Sequence, residues 1–184
     1  MKKISALAVG LLALCAACSD DDKSTWENYA DWREANNAWL AQQQARTDAD
    51  GQPYYRTVVP KWNPGNFILL RYCNDRSETE GNLTPMYTST IDVRYKLHLY
   101  DGTPVDSSTN LTANGPGVYR AQLNSLVPGW AVALSEMRCG DSVEVVIPYV
   151  LGYGASDNSA IKPYSALRFN IRLVNIYKYE TSPN

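Results

Sequence analysis

The chain has 184 residues, 45% of them hydrophobic and 11% aromatic, with 13 Tyr, 5 Trp and 2 Phe. That is enough for one domain with a real core and with aromatic surface to spare for ligands. Seventeen Lys and Arg against nineteen Asp and Glu give a net charge of −2, which argues against nucleic acid as a partner, because such binding needs a concentrated basic footprint. The four cysteines form no CxxC pair and no Cys/His cluster, so the sequence gives no support for a metal site or a cofactor.

The amino end starts with Met1-Lys2-Lys3, followed by an apolar or small run from Ile4 to Ala17, with no acidic residue before Asp20. A charged start, an apolar stretch and small residues at its end are the layout of a secretory signal over residues 1–17. The apolar run is shorter than the roughly 20 residues a spanning helix needs. Ala16-Ala17-Cys18 resembles the lipobox of bacterial lipoproteins, in which the cysteine is acylated and becomes the first mature residue. The resemblance implies lipidation at Cys18 and attachment to a membrane. Cys15 stands where a leucine is usual. Residues 18–24, with Ser19-Asp20-Asp21-Asp22, read as a tether and are similar to surface-export signals of some Gram-negative lipoproteins. Loss of Lys2 and Lys3 with the signal leaves 15 basic against 19 acidic residues, a net charge of −4. Cys73 and Cys139 remain, and outside the cytosol they have the option of one disulfide.

Residues 25–46 read as a helix, with Thr25 as N-cap and Trp26, Tyr29, Trp32, Trp39 and Leu40 on one stripe. Asp48 to Pro53 ends it. Such a helix either docks on the main domain or serves as a dimerisation arm. Residues 54–66 look irregular, completing a predicted extension over 25–66 ahead of a main domain at 67–180. Phe67 to Cys73 has strand character, and Asp75 to Pro85 is polar and rich in turn formers.

From Thr88 the pattern sharpens. Ile91, Val93, Tyr95, Leu97 and Leu99 alternate with Asp92, Arg94, Lys96 and His98, the period of a strand with one buried face. His98, the only histidine, falls on the polar side, which removes any Ser-His-Asp or Cys-His scheme. Asp101-Gly102 is a turn signal. Val118 to Leu123 is a weaker strand, and Pro128 to Met137 a short helix with Trp130, Leu134 and Met137 on one face and Gly140 as its stop. Val143 to Ile147 and the alternating Leu167, Phe169, Ile171 and Leu173 supply two more strands. The sum is an α+β chain: an antiparallel sheet wrapped around one short helix, preceded by a helical extension.

The order of these segments is similar to that of the FKBP-type peptidyl-prolyl cis-trans isomerase family. Val105-Asp106-Ser107-Ser108 resembles the family's F-D-S-S segment. Val127-Pro128-Gly129-Trp130, with Leu134 and Met137 behind it, resembles V-I-P-G-W and its helix. Val146-Ile147-Pro148 with Leu151-Gly152-Tyr153-Gly154-Ala155 resembles its I-P and L-A-Y-G stretches. Ile161-Lys162-Pro163-Tyr164-Ser165-Ala166-Leu167-Arg168-Phe169 resembles its last segment. The likeness spans about residues 88–178. It implies an antiparallel half-barrel and a pocket for a prolyl ring lined by Tyr95, Val105, Tyr119, Leu126, Val127, Trp130, Tyr153, Ile161 and Phe169. Trp130 would be the floor, Asp106 would face the twisting imide, the Tyr153 hydroxyl would donate to a substrate carbonyl, and the Val127 N–H would hold the peptide. Partners implied are proline-containing unfolded or exported polypeptides, handled in the cell envelope from a lipid anchor in the outer membrane.

The sequence also departs from the family. Val105 replaces a phenylalanine, Thr109 to Asn114 lacks the usual arginine, and Ala121 stands where an aromatic is usual. The Ser156 to Ala160 loop is short and lacks histidine, and Lys162 replaces a proline. These changes leave open a non-catalytic chaperone or peptide-binding module on the same fold, and an envelope scaffold assembled through the N-terminal helix.

Overall fold

The computed structural model describes residues 24–157 and 160–178. The expected signal segment, the acylated Cys18 and the acidic run Asp20–Asp22 lie outside the described residues. Two helices open the described chain, α1 (Thr25–Asn28) and α2 (Ala30–Ala45). Seven strands follow: β1 (Arg56–Val58), β2 (Ile68–Tyr72), β3 (Thr90–Leu99), β4 (Pro104–Ser107), β5 (Tyr119–Gln122), β6 (Ser142–Ile147) and β7 (Leu167–Ile176), with α3 (Pro128–Ser135) between β5 and β6. All pairings are antiparallel, in the order β1-β2-β6-β7-β3-β4, and β5 shares the outer edge of β3 with β4.

The period-two strands emerge as expected, because alternation leaves them one way to bury an apolar face. The inner side chains of β3, β6 and β7 close over α3, whose Trp130, Leu134 and following Met137 are almost wholly buried. α3 starts at Pro128, whose fixed φ suits the first helical position, and Gly129 follows for a steric reason. A β-carbon there would lie 2.4 Å from Ile147 Cγ2 and 2.9 Å from its Cδ1, so only glycine lets the helix rest on β6. Below β7, Asp141 is fully enclosed. It accepts from the Thr79 hydroxyl at 2.6 Å, the Arg138 N–H at 2.8 Å and the Asn74 amide at 3.2 Å, and pairs with Arg76 at 3.4 Å. Burial alone would raise its pKa, but these donors and the guanidinium hold it below the ordinary value.

The N-terminal region differs from the expectation in three ways. Ser24, not Thr25, caps the first helix: its side chain and that of Glu27 form a reciprocal capping box, which Ser24-Thr25-Trp26-Glu27 spells out. The single helix is broken at Tyr29, where φ −109° and ψ 22° leave the helical basin. Finally, Arg56–Val58, in a segment that looked irregular, is a strand paired with Ile68–Leu70, so the sheet begins before residue 67.

α2 docks on the outer face of the sheet, the side away from α3. Trp39 and Leu40 pack on Tyr55, Leu69 and Val146. The Trp32 indole N–H donates to Ser165 Oγ at 3.0 Å, and the same ring carries the Lys162 ammonium 4.6 Å from its centroid. Lys162, where the family has a proline, is thus engaged by the extension. The tightest link is polar: Asn36, 1% exposed, accepts from the Ala166 N–H at 2.8 Å and donates to the Trp32 carbonyl at 2.8 Å. Asn36→Ala leaves a buried N–H without an acceptor. We expect it to cost about 1–3 kcal/mol, seen as a lower urea midpoint at unchanged slope. Cys73 and Cys139 are both free thiols, so the optional disulfide is not formed.

Candidate functional site

Six separate elements converge on one cleft of about 280 Å³ above the N-terminus of α3. Trp130 forms its base, 4% exposed, held edge-to-face against Tyr95 at 5.4 Å and Phe169 at 5.2 Å between ring centroids. Tyr119 stands 5.7 Å from Tyr95 in a similar T-shaped contact. Such pairs prefer this geometry because the positive ring edge meets a negative face. The aromatic walls therefore fix one another before any ligand arrives.

Of the expected lining, Tyr95, Tyr119, Leu126, Val127, Trp130, Tyr153 and Phe169 are gathered here, together with Asp106. Two expected lining residues stand outside this set. Val105, left without a β3 partner where the β3–β4 register shifts, packs partly buried against the core and borders a neighbouring shallow groove that Asp106 also lines. Ile161, 5% exposed, is absorbed into the core beneath the wall. Leu97 does line the cleft and was missed, although it follows Tyr95 by two residues on the same strand face.

Asp106 is held from both sides. Its Oδ2 accepts from the Tyr95 hydroxyl at 2.6 Å and its Oδ1 from the Ser107 N–H at 2.7 Å. Burial and then this bond raise the pKa of Tyr95, so the phenol stays protonated and keeps donating. Tyr153 is different. It sits 41% exposed at the rim, and its hydroxyl has no partner among the described residues. Burial of its ring, and next the negative charge of Asp106, push its pKa up and keep it a donor. The left-handed Gly154 (φ 65°) and the bond from the Gly154 N–H to the Tyr149 carbonyl at 2.9 Å hold this turn so that the ring projects into the cleft. The Val127 N–H, just ahead of Pro128, also finds no acceptor among the described residues. The cleft therefore presents an aromatic base, one fixed carboxylate and two unspent donors. Among the described residues no group of three or more His, Cys, Asp or Glu side chains is placed to hold a metal ion.

An open antiparallel sheet over a single short helix, with an aromatic cleft at that helix's N-terminus, defines an FKBP-like fold. The family model described as FKBP-type peptidyl-prolyl cis-trans isomerase matches residues 81–174, just over half of the 184. The chain belongs to this family. Among similar proteins, the Macrophage infectivity potentiator of Trypanosoma cruzi is 37% identical over 97 residues, 52% of this chain and 47% of that one. The FKBP-type isomerase FkpA of Escherichia coli K12 is 34% identical over 92 residues, covering 50% and 33%. The outer membrane protein MIP of Legionella longbeachae is 36% identical over 95 residues, covering 51% and 39%. The match thus spans less than half the length of each of these relatives. The fold is shared with the crystal structure of a peptidyl-prolyl cis-trans isomerase from Pseudomonas syringae, with TM-score 0.62, 24% identity, 80% of this chain and 95% of that one. It is shared also with FkpA from Escherichia coli, with TM-score 0.63, 22% identity, 83% and 62%.

Proposed function

We propose that this chain is a peptidyl-prolyl cis-trans isomerase that binds proline-containing polypeptides in the Trp130 cleft and assists folding of exported proteins. The observation that carries this reading is the cleft itself: a small aromatic-walled hollow with an indole base, edged by donors that have no other partner among the described residues. Rotation about an X–Pro bond must cross about 18–20 kcal/mol and takes tens to hundreds of seconds uncatalysed. No bond is made or broken, so neither a nucleophile nor a metal is required. The twisted imide loses resonance, and its carbonyl becomes less polar. A dry aromatic hollow therefore favours the twisted form over the planar one, which is differential binding of the transition state.

In this reading the prolyl ring rests on Trp130 between Tyr95 and Phe169. The Val127 N–H and the Tyr153 hydroxyl take carbonyls of the bound peptide. Asp106, its two oxygens already anchored, presents a fixed negative charge beside the rotating amide. Lowering the barrier by about 5–6 kcal/mol gives about a ten-thousandfold acceleration. Tyr153→Phe deletes one donor and leaves the ring, so we expect the catalytic efficiency to fall about five- to twentyfold, about 1–2 kcal/mol, with unchanged stability. A protease-coupled assay on a proline tetrapeptide measures it. No acceleration by the unaltered chain, with aggregation of an unfolded client still suppressed, would establish the non-catalytic chaperone instead.

The location follows from the amino end. Residues 1–17 act as the export signal, Cys18 carries the lipid, and residues 18–24 tether the folded part to the outer membrane, on its periplasmic side or at the cell surface. The relative named an outer membrane protein supports an envelope location. Mass spectrometry of the mature protein tests it: an unmodified Cys18 would refute the anchor.

A further inference from the structure

The face of the sheet opposite the cleft has its own composition. α2 covers only its Leu69 and Val146 end. Farther along, the outward residues of β3 and β7 are Arg94 opposite Arg172 and Lys96 opposite Asn170, with Ser142 of β6 next to Arg172. They border an open concavity of about 720 Å³, walled on one side by the loop from Ser108 to Gly117. The Arg94 side chain leans on that wall, its Nε 3.8 Å from where a β-carbon of Gly117 would be. No acidic side chain lines the hollow.

Two facts make this more than a basic patch. Arg94, Lys96 and Arg172 have no ion pair and no side-chain hydrogen bond among the described residues, and the acids on the neighbouring strands face other partners. Asp92 is forked by Arg120 at 2.6 and 2.7 Å, and Glu144 accepts from the Tyr55 hydroxyl at 2.5 Å. In addition, Arg94 and Arg172 are direct cross-strand partners. Like charges in that position repel and destabilise a sheet. A net-acidic chain thus concentrates uncompensated cations in one hollow, and an anion between them would turn repulsion into attraction. Two guanidinium forks match the paired oxygens of a phosphate, and Lys96 adds a point charge.

We propose that this concavity is a binding site for a phosphate group, either a free phosphate or the phosphate of an anionic lipid headgroup. Its cationic side chains alternate onto the face of β3 opposite the Tyr95 and Leu97 side chains, so the proposal does not rest on the isomerase reading, although Tyr95 borders both hollows.

The test uses the full chain and Arg94→Gln/Arg172→Gln. Thermal unfolding is followed in inorganic phosphate against chloride at matched ionic strength. Co-sedimentation is followed with phosphatidylglycerol-containing against pure phosphatidylcholine vesicles. For a free-phosphate site, the unfolding temperature rises with the logarithm of phosphate concentration, and the double variant loses that rise. For a headgroup site, the gain in binding on the anionic vesicles disappears in the variant, with the cis-trans rate unaltered. In chloride the variant is at least as stable as the parent, because it relieves the repulsion. Equal behaviour of parent and variant in both arms, or a variant less stable in chloride, overturns the proposal.

Discussion

Trp130→Ala is expected to lower stability by about 3–5 kcal/mol and to reduce isomerase activity by at least about a hundredfold. The two losses share one cause. The indole is both the largest buried ring of α3 and the common partner of Tyr95 and Phe169, so its removal opens a void below the cleft and frees both walls. Activity is read at a temperature where circular dichroism shows the variant folded. Trp130→Phe serves as control, since it keeps an aromatic base and should retain a larger share of both quantities. If Trp130→Ala were folded and fully active, the cleft would not be the catalytic site.

The second large effect lies far from the cleft. Asp141→Ala is expected to cost about 2–4 kcal/mol, because Thr79, the Arg138 N–H and Asn74 lose a buried acceptor together. The cost stays below that of breaking a fully buried ion pair because the Arg76 side chain is about a third exposed. The pH dependence carries a further signature. The pKa of Asp141 in the folded chain lies below its unfolded value near 3.8, so its ionised form stabilises the fold fully above that value. This stabilisation disappears as pH falls through the lowered pKa. The parent should therefore lose stability steeply below about pH 4. The alanine variant, weaker throughout, should show a shallower acid limb in urea titrations at successive pH values.

The parts of the molecule that were legible in the sequence are those in which one periodicity decides the outcome. Ile91 to Leu99 and Leu167 to Leu173 have a single register that buries their apolar residues, and Pro128 marks the start of α3, although the helix ends at Ser135 and not at the expected stop, Gly140. Most of the cleft was expected from the family resemblance rather than from periodicity, since of its nine lining residues only Tyr95, Leu97, Trp130 and Phe169 lie on these elements. The remainder depended on contacts distant in sequence. Arg56–Val58 has only three residues, two of them exposed, and becomes a strand only when β2 lies beside it. An apolar stripe predicted the docked face of α2, but a polar residue, Asn36, is its most buried one, chosen by the free N–H of Ala166. The anchoring of Asp106 by the Tyr95 hydroxyl joins two strands through a hairpin whose register shifts between Leu97 and His98, and local pattern cannot supply that shift. Gly129 also reads as an ordinary helix-start residue until Ile147 is seen beneath it.

The margins of the sheet have a consequence under the proposed function, in which the protein meets extended, non-native chains. β1 is three residues long and carries an arginine, while β4 begins at a proline and shares its side of β3 with the equally short β5. Stubby, charged or proline-bearing borders give an incoming polypeptide no row of free amides to zip onto. Under that proposal, sticky guests would be steered away from templating on their host, and the molecule would linger among aggregating chains without being recruited into them.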